Sequence, residues 1–360
     1  MSKYLQVVSN YDSAIGGPYQ VANALSNYFD KNFLDGKIMT IGSKSQRETQ
    51  ANNAVIQLNN SFANKYGFSF KLGNKKNRSL FKNTEIIFLL GFYLYSTLLI
   101  VLLVPAKCRI IIFPHGSLNA KQQKKGIVRK KIFRLLFRLA SSNKSIKFIV
   151  GSMQEENDLK KQIGGIPIIL TMFGSNVISN IAKNSPAGCN LVTVSRIDPI
   201  KNLEFVIALA GYISKLRRDV TLKIIGSGDQ KYLAYLKKIS AENPSICVIE
   251  FIDHQPLTEI KKLIESTDIF LQLSLYENYG IAVAESISCN IPVIVSSKMG
   301  ISQFIRKSGC GIVVEADDLS EASRAVFNIL TEYGTFVTNC RDSKHNFDWD
   351  NIFINLMTRI

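Results

Sequence analysis

Short apolar runs alternate with helix-periodic segments along almost the whole chain, and this alternation restricts the fold more than any other feature, because it is the pattern of parallel α/β domains. Leu5–Ser9 reads as a strand, and Val21, Ala24, Leu25, Tyr28 and Phe29 then recur on one helical face. Further strand patterns are Cys108–Phe113, Lys147–Gly151 and Ile166–Met172, and from Leu191 to Leu330 strand and helix alternate again. A chain of 360 residues is long for one hydrophobic core and suits two domains. Gly174–Asn190, rich in glycine, proline, asparagine and serine, reads as the linker between them. The stretch Gly42–Asn83 is polar and reads as surface loops and short elements. No sequence repeat or low-complexity block interrupts the pattern.

Ile86–Ala106 carries no charge and is long enough to cross a bilayer. Gly91 and Pro105 punctuate it, however, and the β-branched run ending at Phe113 follows at once. That rhythm predicts a buried strand, a buried helix and a second strand. The N-terminus enters a strand pattern directly and has no apolar signal-peptide region, so the encoded and mature chains are expected to be the same. Six cysteines are scattered without a Cys-x-x-Cys pair, which fits reduced core thiols of a cytosolic protein.

The formal charge of +16 is unevenly placed: residues 1–180 hold 25 Lys/Arg against 8 Asp/Glu, and no acidic residue occurs between Glu85 and Glu155. Something anionic is expected to meet that half. Within it, Lys124, Lys125, Arg129, Lys130, Lys131 and Arg134 are interleaved with Val128, Ile132, Phe133, Leu135, Leu136 and Leu139 at helical spacing. A basic amphipathic helix of this kind suits an anionic membrane surface, and its bland alternative is a solvated basic face over a core stripe. Nucleic acid is disfavoured as the partner, since no zinc pattern, helix-turn-helix signature or RNA-binding motif accompanies the charge.

The second half holds the candidate chemistry. Glu277-Asn278-Tyr279-Gly280 follows the apolar run Asp268–Ser274, and Glu285 lies in the helix predicted over Ile281–Ser288. Glu277 is thereby expected in a loop at the carboxyl end of a strand, the edge where open α/β sheets bind ligands. Arg196 and Lys201 follow the strand at Val192; one offers a guanidinium fork and the other a point charge to a diphosphate. Gly226 and Gly228 end the strand begun at Leu222 and permit close backbone approach.

Taken in this order, with Gly16-Gly17 near the start, Pro114-His115-Gly116 in the middle and Phe347-Asp348-Trp349 near the end, these segments resemble the family 4 retaining glycosyltransferases over nearly the full length. The resemblance implies a GT-B architecture, with two Rossmann-like parallel-sheet domains facing across a cleft. Residues 1–172 would form the acceptor domain and residues 173–345 the nucleotide-sugar domain, with a terminal helix over 346–360 packing back on the first. It further implies that Glu277 binds donor-sugar hydroxyls, that Glu285 accepts the ribose diol, and that the amides of Asn278, Tyr279, Gly280 and Ile281 hold the sugar ring. His115 would touch the donor sugar, Gly226 and Gly228 would lie close to the nucleotide, and Gly17 would approach the donor phosphate or the acceptor.

Arg196, Lys201 and the helix start after Gly280 would stabilise the leaving diphosphate without a metal, and no cofactor is expected beyond the nucleoside diphosphate sugar. No enzymic nucleophile is evident, so same-face displacement is preferred over the double displacement of retaining glycosidases. The activity expected is transfer of a sugar to a lipid-linked saccharide in surface polysaccharide synthesis, such as O-antigen or capsule, at the inner face of the cell membrane. The alternatives are a soluble acceptor, as for a sucrose-type or glycogen-type synthase, and a non-catalytic scaffold that kept the fold.

Overall fold

Ile86, Ile87, Phe88, Leu89 and Leu90 are all buried, and burial on both faces is what a parallel sheet covered by helices requires of a central strand. The structure, a computed structural model, describes residues 3–12, 16–42, 55–58, 67–119, 123, 126–176, 184–242 and 248–360. Two compact units account for them: Met1–Met172 with Trp349–Ile360, and Phe173–Asp348.

In the first unit the strands are β1 (Tyr4–Val8), β2 (Gly36–Thr40), β3 (Val55–Gln57), β4 (Ile86–Leu90), β5 (Arg109–Phe113), β6 (Ser145–Val150) and β7 (Ile168–Leu170). They pair in parallel in the order β3-β2-β1-β4-β5-β6-β7, so the strand order reverses between β1 and β4. The principal helices are α1 (Gly17–Lys31), α2 (Lys75–Lys82), α3 (Tyr95–Leu103), α4 (Ile127–Ser141) and α5 (Met153–Gln162). Pro18 in the first turn of α1 sacrifices an amide that has no helical partner anyway, and Val21, Leu25 and Phe29 reach the core. The uncharged stretch after Glu85 divides into β4 and the nine-residue α3, which stops before Pro105. No helix among the described residues is long and apolar enough to cross a membrane. In the region read as surface loops and short elements, the described residues form β3, a short 3-10 turn and α2, with Leu58, Leu72 and Phe81 buried.

The second unit has β8 (Cys189–Val194), β9 (Val220–Ile225), β10 (Val248–Ile252), β11 (Ile269–Gln272), β12 (Val293–Ser296) and β13 (Gly311–Val314), paired in parallel as β10-β9-β8-β11-β12-β13. Its helices are α6 (Leu203–Ser214), α7 (Gln230–Ala241), α8 (Leu257–Glu265), α9 (Ile281–Ser288), α10 (Ser302–Ser308), α11 (Leu319–Thr331) and α12 (Tyr333–Ser343). β8 takes the last two residues of the segment read as a linker. The order of strands reverses between β8 and β11, and at such a switch point the loops leaving the two strands diverge to opposite faces and open a crevice.

The chain ends in α13 (Trp349–Arg359), which belongs to the first unit. Trp349, Ile352, Phe353 and Leu356 are buried, at roughly 1.5–3 kcal/mol per fully buried side chain. Phe353 meets Tyr28 at 5.4 Å between centroids, and Asp350 pairs with Lys31. Both domains are therefore Rossmann-like parallel α/β, the fold class expected from the alternation of elements. The five described cysteines are buried and form no disulfide with one another.

Candidate functional site

The switch point of the second sheet gathers the charged residues singled out in the sequence. The loop leaving β8 carries Arg196 and Lys201, and the loop leaving β11 carries Glu277. Asp198 accepts a hydrogen bond from the Ile200 amide and caps a short 3-10 turn ending at Lys201. Asn202 takes a left-handed conformation, φ 55°, which asparagine tolerates better than most residues, and its amide group donates to the carbonyls of Leu273 and Ala316. The Leu275 amide bonds the Ile200 carbonyl at 2.9 Å. These contacts bring the Lys201 ammonium onto the Glu277 carboxylate as an ion pair, with 12% and 23% of the two side chains exposed. Gln272 Nε2 approaches the same Oε2 at 3.4 Å.

Lys201, expected to meet a diphosphate, pairs here with Glu277. A partly buried pair of this kind offers adjacent sites of opposite sign, a carboxylate for hydroxyls and an ammonium for phosphate oxygens. Arg196 is exposed, and its guanidinium makes no ion pair among the described residues.

The Glu277 backbone is fixed independently of its side chain, since its amide bonds the Lys298 carbonyl and its own carbonyl accepts from Gly300. Gly280 is the N-cap of α9 at φ 113°, and a Cβ there would lie 2.7 Å from Met299 Cε. The Tyr279 side chain is buried, its hydroxyl donates to the Phe173 carbonyl at 3.0 Å and its ring packs edge-on against Phe173. The ring therefore anchors the loop, leaving half-buried Asn278 and Ile281 beside it. Glu285 is 4% exposed on α9, so its carboxylate lies away from bulk water.

Gly226 and Gly228 each admit the close approach of another backbone segment. A Cβ on Gly226, whose φ is 144°, would fall 1.9 Å from the Ser195 carbonyl oxygen, and one on Gly228 would fall 2.3 Å from that of Ile197. The two glycines thus let the loops after β8 and β9 zip together, through Ile197 N to the Ser227 carbonyl and Asp229 N to the Ile197 carbonyl. Their immediate use is to set the path of the chain on either side of Arg196.

In the first unit, Gly16 at φ 77° precedes α1, which Gly17 opens. His115 follows β5 at φ 49°, stacked on Phe113 with 6.0 Å between ring centroids. Removal from water pushes its pKa down to about 4. The native imidazole is therefore neutral at pH 7 and can donate one hydrogen bond or accept one. The unfolded chain, with an ordinary histidine near 6.5, takes up a proton between pH 6.5 and about 4 that the native state refuses, so this contribution to stability is intact above that window and declines as pH falls through it. Urea unfolding at pH 7 and pH 5 should show a smaller difference for His115→Asn than for the parent, and an equal difference would contradict the assignment.

Sequence reasoning missed Glu155. This carboxylate is 2% exposed at the start of α5 and accepts from the Gly116 amide at 2.6 Å and the Gly151 amide at 3.1 Å, so it ties the His115 loop to the end of β6. The signal was present: Ser152-x-x-Glu155 is a capping-box spacing, and Ser152 Oγ does cap the Glu155 amide at 3.1 Å. Its glutamate reaches the two neighbouring loops.

The basic helix α4 presents its two faces differently from the reading of its sequence. Lys130 and Phe137 are its buried residues, and Phe133 and Phe137 pack on Phe92. Lys130 and Arg134, expected on an outer cationic face, turn inward: the ammonium sits 5.1 Å from the centre of the Tyr93 ring, and the guanidinium donates to Tyr93 Oη and Gln123 Oε1. Val128, Ile132, Leu135, Leu136 and Leu139 are all exposed instead, by 45% to 71%. Arg129 and Lys131 remain exposed beside them, whereas Lys124 and Lys125 lie outside the described residues.

With this geometry in view, the comparisons with known proteins gain a physical context. Residues 184–343 match the family model described as "Glycosyl transferases group 1". An uncharacterized glycosyltransferase of Methanocaldococcus jannaschii is 29% identical over 167 residues, covering 45% of this chain and 42% of that protein. The chain spans less than half the length of the curated relatives it matches first. Among solved structures, Anabaena HepE in complex with UDP-glucose aligns over 100% of both chains with a TM-score of 0.76 and 13% identity. WaaG, a glycosyltransferase involved in lipopolysaccharide biosynthesis, covers 97% of both with a TM-score of 0.73 and 14% identity. At such identities the structural likeness speaks for the fold alone.

Proposed function

We propose that this chain, whose residues 184–343 match the glycosyl transferases group 1 model, moves a sugar, with retention of configuration, from a nucleoside diphosphate sugar to a lipid-linked saccharide in surface polysaccharide synthesis, O-antigen or capsule. The observation that carries the donor half of this reading is the Lys201–Glu277 pair at the switch point of the second sheet, beside the N-terminus of α9. A sugar phosphate is the ligand that exploits it: hydroxyls displace the ammonium from Glu277, and Lys201 then turns with Arg196 to the diphosphate. The amides that open α9 add their dipole to the same negative charge. Cationic side chains and amides would thus carry the leaving group without a metal or cofactor, and the departing phosphate oxygen would take the acceptor's proton on the same face. Buried Glu285 would accept the ribose diol as the nucleoside closes over α9.

The acceptor half rests on α4. An exposed apolar stripe flanked by Arg129, Lys131 and Arg138 suits a helix lying in the surface of an anionic bilayer, and the excess cations of residues 1–180 have the sign such a surface attracts. This favours a lipid-linked acceptor over a soluble one.

Nucleoside diphosphates should raise the melting temperature of the full chain. Ligand at about 100 times its dissociation constant adds about 2.7 kcal/mol, a shift of several degrees. Vesicles rich in phosphatidylglycerol should sediment the protein at low salt and release it as salt rises. Absence of any nucleotide shift removes the donor assignment, and failure to sediment removes the membrane.

A further inference from the structure

The first unit contains a cavity of about 410 Å³ lined by Phe68, Tyr93, Tyr95, Leu98, Arg129, Lys130 and Phe133. Its volume falls in the range of small-ligand sites. Its wall is almost wholly apolar, built from rings of the segment after Gly67, from α3 and from the inner edge of α4, and Phe68 and Tyr95 close one side at 4.4 Å between centroids.

Three features identify the occupant. First, the lining asks for hydrocarbon. Second, among the described residues the charged side chains that line it are two cations, Arg129 and Lys130, so the hydrocarbon should carry an anionic group at one end. Third, the cavity adjoins the outward stripe of α4: on the helix surface Arg129 stands between Ile132 and Leu136 on the exposed side and Phe133 on the cavity side. An amphiphile entering from a bilayer under that stripe would meet the cavity without crossing water.

The cavity is also linked to the His115 loop. Tyr93 Oη donates to Gln123 Oε1 at 3.1 Å, and Gln123 Nε2 donates to the Ser117 carbonyl at 3.0 Å. Tyr93, in the wall of the cavity, therefore lies two hydrogen bonds from the segment that carries His115.

We propose that this cavity seats the hydrocarbon chain of the acceptor lipid, with Arg129 and Lys130 gripping its phosphate. The inference rests on the lipid-linked acceptor argued above and deepens it, since it makes a single-chain lipid phosphate the recognised unit. Recognition is then by chain and phosphate together, and a bilayer phospholipid that merely supports the protein is not the ligand.

Isothermal titration of the full chain with dodecyl phosphate, below its micelle concentration, tests this against inorganic phosphate and dodecyl maltoside. Dodecyl phosphate should bind, and both comparators should bind much more weakly. Leu98→Trp, which fills the cavity, should abolish binding. Arg129→Glu, an exposed substitution that leaves the core untouched, should weaken it by about tenfold or more. Leu135→Glu with Leu139→Glu, on the outer stripe, should leave it unchanged while reducing vesicle sedimentation. Equal loss from the outer-stripe pair would mean adsorption to α4 and would overturn the proposal, as would undiminished binding by Arg129→Glu, or by a Leu98→Trp protein whose circular dichroism is native. A nucleoside diphosphate shift retained while dodecyl phosphate fails to bind would sink the lipid site alone, leaving the donor assignment standing.

Discussion

Glu277→Gln should lower sugar transfer by roughly 100-fold or more, the loss typical of removing one preorganised polar contact to the reacting centre, while nucleoside diphosphate binding holds or tightens. The reason lies in the ion pair. Lys201 is occupied by Glu277 in the unliganded protein, so neutralising the carboxylate frees the ammonium for phosphate. The substitution is nearly isosteric and the backbone of residue 277 is held by its own bonds to Lys298 and Gly300, so the loop should keep its course. Lys201→Ala should behave differently, because it removes the proposed phosphate contact and leaves a partly buried carboxylate uncompensated; it should weaken nucleotide binding and transfer together. The discriminating measurement is the melting shift with nucleoside diphosphate, run beside single-turnover transfer for both variants. Transfer by Glu277→Gln at the parent's rate would defeat the role given to this residue, and weakened nucleotide binding in that variant would show that the pair acts as one structural unit.

The distinction between these two variants was not legible in the sequence, although each residue was. Strand and helix boundaries around the site came through well, with α9 running over Ile281–Ser288 as expected, because an apolar run ending in Gly280 has few other ways to fold. Pairing across 76 residues is another matter, since it depends on Asn202 in a left-handed conformation reaching Leu273 and Ala316. The glycines show the same limit. Gly226 and Gly228 announce a close approach, but only coordinates reveal that the neighbour is the backbone of Ser195 and Ile197.

Helix α4 fails for a more general reason. Its sequence supports two stripes, Val128, Ile132, Leu135, Leu136 and Leu139 on one side and Phe133 with Phe137 on the other, and periodicity cannot say which is buried. The aromatic cluster around Phe92 decides it, since it accommodates rings and leaves the aliphatic residues outside. Lys130 follows the rings inward because Tyr93 offers its face to the ammonium.

Glu155, the residue that sequence reasoning passed over, yields the last large effect. Its carboxylate satisfies two amides, Gly116 and Gly151, and replacement by Ala strands both where the carboxylate was 2% exposed. Each unsatisfied buried donor costs about 1–3 kcal/mol, so a total of roughly 2–6 kcal/mol is expected for the two, read as a lower urea midpoint. Glu155→Gln should recover only part of this, since its amide nitrogen cannot accept from an N–H. The loss should reach function through one loop: with Gly116 released, His115 at φ 49° loses the tether on its C-terminal side, and transfer should fall even at temperatures where the variant is folded. Nucleoside diphosphate shifts should persist, because Arg196 and Lys201, the cations proposed to bind phosphate, belong to the other unit. Transfer at the parent rate in folded Glu155→Gln would confine the residue to stability, and full stability in Glu155→Ala would contradict the hydrogen bonds themselves.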